Sequence, residues 1–313
     1  MRIVIILGIG LGLAGAACGD RGPAAGSDGA AEDPLTVVAS FYPLAEAAER
    51  VVGSSVAVTN LTPPGVEPHD LELSPDQVEL IATADLVLYA GEGFQPAVEE
   101  AVVTIAEGTT VDVLDGLPLI QGLGGDHTHD EGEEPAEEGV DPHVWLDPSL
   151  LGDIVSTIEG SLAELSPDRA SNFSDNAEAF DAELAALDEE FRTGLATCER
   201  RLLVTSHAAF GYLARAYDLE QEAISGLSPE AEPSAQELAD ITDEIRADGV
   251  TTVFTETLVS AALAETLASE ADVATAILNP LEGLSQEQAD AGADYLSVMR
   301  ENLDVMRTGL GCR

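Results

Sequence analysis

Residues 74–91 read SPDQVELIATADLVLYAG, and their pattern changes partway along. Ser74 is a capping residue, and Pro75 suits the first turn of a helix, where its missing N–H would have had no partner. Val78, Leu80 and Ile81 then supply apolar helix positions. From Leu86 to Gly91 the chain becomes a short continuous apolar run closed by glycine, as in a strand buried on both faces. A helix feeding directly into such a strand is part of a parallel strand–helix–strand unit. The alternation continues in both directions. Strands are expected at 36–41, 56–62, 86–91 and 109–114, with a helix at 94–106. Four more are expected at 201–206, 220–225, 251–256 and 274–278, with helices at 234–247 and 261–269. This predicts an α/β protein of two similar lobes, each a four-stranded parallel sheet flanked by helices.

The longest helical pattern lies between the two sets, at 167–197. Phe173, Phe180, Leu184, Leu187, Phe191 and Leu195 recur along it mostly three or four apart. A helix joining two lobes is stiffer than a loop, because bending it breaks backbone hydrogen bonds. The expected division is an N-terminal lobe at 35–166, the connecting helix at 167–197 and a C-terminal lobe at 198–313. A final helix is expected over 285–310, with Tyr295, Val298, Met299, Leu303 and Met306 on one face.

Three segments stand outside this pattern. Residues 1–17 begin Met1-Arg2 and continue in an apolar run too short to span a bilayer comfortably, which fits a signal peptide. The run ends in LAGAAC, with small residues before Cys18, and resembles a bacterial lipoprotein signal. Leu13 lies five places before the cysteine, whereas that pattern has an aliphatic residue at three. Residues 18–34 are then a lipidated Cys18 and a flexible tether of Gly, Ala, Pro and Asp, and the chain is exported. It is anchored to the outer face of the membrane, or periplasmic or secreted if Cys18 carries no lipid. Residues 121–141 form an insertion with 8 acidic residues, which bears His127 and His129. Such a composition builds no core. The loop is either inert or an auxiliary cation trap.

The chain has 313 residues, 59 of them acidic and 12 basic, for a formal charge of −47; every basic residue is arginine. So acidic a surface repels phosphate and argues against nucleic-acid binding. Of three cysteines, Cys18 is assigned to lipid. Cys198 and Cys312 remain for one disulfide in an oxidising compartment.

Three of the five histidines lie at the ends of expected strands. His207 directly follows 201–206. His69 follows 56–62 after the Pro-rich turn TPPGVEP. His143 sits in DPHVWLDP at the exit of the acidic loop. Ligands of open parallel sheets bind beyond the carboxyl ends of the strands, and neutral imidazole is a good zinc ligand. Their separations of 74 and 64 residues match no local zinc signature, so spacing alone leaves structural roles open.

The motifs themselves add a resemblance. GVEPHDLELSPDQVELIATADLVLYAGEGFQP (65–96), DPHVWLDP (141–148), LVTSHAAFGYLARAYDL (203–219) and ISGLSPEAEPSAQELADI (224–241) occur in order. With VVASFYPLAEAAERVVG (37–53), they resemble the metal-binding proteins of bacterial zinc and manganese ABC importers. The resemblance implies two lobes around one divalent metal, with His69, His143 and His207 as ligands. It also implies a permease and an ATPase as separate partner chains, a monomer, and no catalysis. His at the third position resembles the zinc members, so Zn²⁺ is the expected cargo and Mn²⁺ the lesser one. The family often has Asp where this chain has Asn279. Asn279 or Glu256 is therefore expected as a fourth donor or as a group steadying a ligand from behind. Glu67 is expected to be solvated. The rival readings are an adhesin of the same fold and a zinc hydrolase with Glu256 as base.

Overall fold

The computed structural model describes residues 35–121, 139–231 and 233–313. The expectations for the signal segment, Cys18, the tether, His127 and His129 lie outside them. β1 (Thr36–Ala39), β2 (Ala57–Asn60), β3 (Leu86–Tyr89) and β4 (Thr109–Asp112) form an all-parallel sheet in the order β2-β1-β3-β4. β5 (Leu202–Thr205), β6 (Glu220–Ala223), β7 (Thr252–Thr255) and β8 (Ala274–Ile277) repeat it in the order β6-β5-β7-β8. The two-lobed α/β architecture expected from the alternation is therefore present.

α1 (Tyr42–Val52), α2 (Pro75–Thr83), α3 (Pro96–Ile105) and α4 (Pro148–Leu165) accompany the first sheet. α6 (Gly211–Ala216), α7 (Ala235–Ala247), α8 (Ala262–Ala271), α9 (Gln286–Ala291) and α10 (Tyr295–Leu310) accompany the second. α5 (Ala170–Leu195) is the long helix between them. Ser74 caps α2 as its sequence indicates: its Oγ accepts from the Gln77 N–H, and the Gln77 Oε1 accepts from the Ser74 N–H.

The strands divide their side chains by parity. Val37, Leu86 and Leu88 face one core while Val38 and Val87 face another; Leu203 and Phe254 likewise part from Val204 and Val253. The outer cores lie under α2 and α3 in one lobe and under α7 and α8 in the other. The inner core is shared. It runs from Val37 and Leu44 through Trp145, Phe180 and Phe191 to Phe254 and Met299. The lobes are thus joined by common packing as well as by α5.

The expected single helix over 285–310 is two helices. Gly292 ends α9 at a φ of 72°, in the left-handed region, and Asp294 caps α10 by accepting from the Ser297 N–H. Cys198 and Cys312 form a disulfide, which ties the chain just past α10 to the segment before β5.

Candidate metal centre

His69 lies in the loop between β2 and α2. Its ring meets Phe94 edge-on, with centroids 4.5 Å apart. The preceding carbonyl, of Pro68, accepts from the Gln95 side chain at 3.3 Å. His143 precedes a single 3-10 turn, Val144–Leu146, that leads into α4. Asp141 Oδ1 accepts from both the backbone N–H and Nδ1 of His143, at 2.9 and 2.8 Å. His207 follows β5, and Glu256 follows the neighbouring strand β7. Glu256 accepts from the His207 backbone N–H at 2.9 Å and from Nδ1 at 2.6 Å. Strand order reverses between β5 and β7, which is where parallel sheets open a crevice for ligands.

Each of these carboxylates fixes its ring twice, through main chain and side chain. With Nδ1 donating, Nε2 is left as the lone-pair nitrogen, and in both residues it points to the same place. The three rings converge, with centroids 5.6 Å apart for His69 and His143, 6.0 Å for His69 and His207, and 5.3 Å for His143 and His207.

The fourth group is Glu282, in the loop after β8. Its Oε1 lies 3.0 Å from His207 Nε2, 3.1 Å from His143 Nε2 and 3.6 Å from His69 Nε2. One ligand atom from each of the four residues falls within 4.8 Å of all the others. Donors about 2.0–2.1 Å from a shared tetrahedral ion stand roughly 3.3–3.4 Å apart. The three distances from Glu282 bracket that value. The hydrogen bonding also fits such an ion, since the buried Nε2 atoms of His69 and His143 have no hydrogen-bond partner among the described residues.

Neither Asn279 nor Glu256 is the fourth donor, and of the two it is Glu256 that steadies a ligand from behind. Asn279 Oδ1 accepts from the Leu281 N–H at 2.8 Å, inside its own loop. Glu256 stands behind His207. Glu282, which sequence reasoning missed, lies three residues beyond Asn279 in the same Pro-Leu-Glu-Gly turn. An acidic residue in the loop five positions past the last strand was the available signal. Glu67 is not solvated as expected: it is half-buried, and its Oε1 is buried without a hydrogen-bond partner among the described residues. Burial and the nearby Glu282 push its carboxyl up to about 8.

Burial pushes all three imidazoles toward the neutral form, and in His69 it prevails, so the pKa lies below its usual value. In His143 the burial is outweighed by Asp141 and Glu282, and the pKa rises. In His207 it is outweighed by Glu256 and Glu282, which hold the pKa well above the usual range. Glu282 is buried too, yet His207, His143 and His69 keep its carboxyl well below the usual carboxylate range. Without metal, the cluster therefore favours protonation of His143 and His207, and a divalent cation competes with those protons for the same nitrogens.

The family described as zinc-uptake complex component A, periplasmic (ZnuA), matches residues 37–309. The high-affinity zinc uptake system protein ZnuA of Bacillus subtilis is 37% identical, over 94% of this chain and 93% of its own length. The zinc-binding lipoprotein AdcA of Streptococcus pneumoniae is 39% identical over 88% of this chain, which spans only 56% of that relative. The crystal structure of the Zn(II)-bound ZnuA-like domain of AdcA superposes with a TM-score of 0.74 at 37% identity, covering 88% of this chain and 99% of that domain. Fold, ordered motifs and these likenesses together place the chain in the ZnuA family of zinc-uptake components.

Proposed function

We propose that this chain captures Zn²⁺ outside the cytoplasm and delivers it to an ABC permease. The ligands are His69, His143, His207 and Glu282. The observation that carries the reading is the single Glu282 oxygen facing three imidazole Nε2 atoms at 3.0–3.6 Å. Three nitrogens and one carboxylate oxygen suit zinc better than manganese, which prefers hard oxygen donors and stands low in the divalent affinity order.

Four protein donors also argue for carriage over hydrolysis. Catalytic zinc sites keep a position open for water, whereas this set closes the tetrahedron. Glu256, the candidate general base, is engaged with His207 on the side away from Glu282.

The family's periplasmic description and the lipoprotein relative support an exported, membrane-anchored protein. No helix among the described residues is long and apolar enough to cross a membrane. The lipoprotein-like signal before Cys18 makes a lipid on that residue the proposed anchor, after removal of 1–17, with 18–34 as the tether. The lobes at 35–166 and 198–313 are joined through 167–197. The working partners are a permease and its ATPase on separate chains, and the carrier acts as a monomer.

Competitive zinc titration of the exported protein tests this. His69→Ala, His143→Ala, His207→Ala and Glu282→Ala should each weaken zinc binding strongly. His127→Ala and His129→Ala should change it little. Loss confined to the loop variants would overturn the site.

A further inference from the structure

α10 turns an apolar stripe of Tyr295, Met299 and Met306 to the core, and Asn302 lies on it, 2% exposed. Nothing in the helix calls for an amide there, since Asn is a mediocre helix former. Its side chain is spent on one residue of another element. The Asn279 N–H donates to Asn302 Oδ1 at 2.8 Å, and Asn302 Nδ2 donates to the Asn279 carbonyl at 2.7 Å. Asn279 then uses its own Oδ1 to accept from the Leu281 N–H at 2.8 Å. Leu281 is fully buried and has a φ of 55°, a left-handed conformation that a residue with a β-carbon adopts only when its surroundings hold it there. The next residue is Glu282.

We propose that Asn302 is a positioning residue for metal capture: through Asn279 it holds the left-handed turn at Leu281 that aims Glu282 at the three histidines. The proposal rests on the reading of Glu282 as a ligand. The first lobe grips the same loop on either side. Trp145 Nε1 donates to the Pro280 carbonyl at 2.9 Å, and the Gly65 N–H donates to the Leu284 carbonyl at 2.8 Å. Those contacts fix the flanks. The two asparagines act on the turn itself.

The test is competitive zinc titration of the whole protein as wild type, Asn302→Leu, Asn279→Ala, Glu282→Ala and the doubles with Glu282→Ala, with thermal melting of each metal-free form. Asn302→Leu keeps the volume and restores an apolar stripe. Asn279→Ala removes the Leu281 contact without touching α10, and carries the test if the first variant does not fold. Each single asparagine variant should weaken zinc binding about 10–100-fold. In the Glu282→Ala background the same changes should alter affinity by no more than about twofold, because the carboxylate they aim is gone. A merely structural role would lower affinity equally in both backgrounds, and that result overturns the proposal. Asparagine variants that bind like wild type, while Glu282→Ala binds weakly, overturn this proposal alone. Glu282→Ala binding as tightly as wild type overturns the ligand reading and this proposal together.

Discussion

Asp141 and Glu256 perform the same task in opposite lobes, each gripping a histidine by its backbone N–H and its Nδ1. Among the described residues no carboxylate grips His69 in both places; Glu67 accepts from its backbone, and the His69 ring meets Phe94 edge-on. Asp141→Asn and Glu256→Gln keep the size and the backbone acceptor but no longer stabilise a polarised Nδ1–H with a charge. Each should weaken zinc binding by about 10–100-fold in competitive titration. Unchanged affinity in both would mean that packing alone orients the rings. Trp145 is the single tryptophan of the chain, and its ring centroid lies 5.2 Å from that of His143. Zinc binding should therefore change the intrinsic fluorescence, and a flat titration would place the metal elsewhere. At this scale the three histidines were visible in ordered motifs. Glu282 was not, because a carboxylate in a turn looks like any solvated acid until its neighbours are known.

The helices and strands show how far periodicity carries. The N-cap at Ser74 and the apolar run that becomes β3 were legible because both depend on near neighbours. The apolar face from Tyr295 to Met306 lies wholly within α10 and α9 buries no residue, so the break between the two helices is marked in the sequence by Gly292. α10 is held at its far end by the Cys198–Cys312 disulfide, which closes a loop of 114 residues. The chain-entropy model assigns such a loop roughly 4–5 kcal/mol, an upper figure because residual structure in the unfolded chain reduces it. Asn302 lies ten residues before Cys312, about 15 Å along a helix of 1.5 Å rise. Reduction should therefore lower the melting temperature clearly while leaving zinc affinity nearly intact. A large loss of affinity on reduction would show that the bridge reaches the site through α10.

For the molecule as a whole, the cluster couples stability to pH and to metal. His143 and His207 have folded pKa values above 6.5, and Glu67 is raised to about 8. From pH 6.5 to 8 the metal-free fold binds more protons than the unfolded chain, so its stability falls as pH rises. His69, lowered, acts the other way, but only below about 6.5, where the unfolded chain takes up the proton. Glu282, also lowered, loses its contribution only in acid, as pH falls through its folded pKa. Zinc needs the donors deprotonated, so its affinity should rise over the same pH interval. At a free zinc concentration of 100 times Kd, the metal adds about 2.7 kcal/mol. Melting curves should then show zinc protection growing from pH 6.5 to 8 while the metal-free melting temperature declines. A metal-free melting temperature that climbs across that interval would contradict the charge arrangement.

Local order determined the class of the fold. Strand and helix patterns are set by residues within a few positions of each other, and they specified eight strands in two parallel sheets before any contact was known. The histidine motifs were likewise written in short runs. Only the tertiary structure decided the fourth donor and the union of the lobes. Glu282 faces His69, His143 and His207 because four loops from two sheets end at one crevice, and that convergence involves residues up to 213 positions apart. The shared inner core has the same origin. Which face of each sheet meets α5 and α10 depends on how the halves pack against each other, and no local period records it.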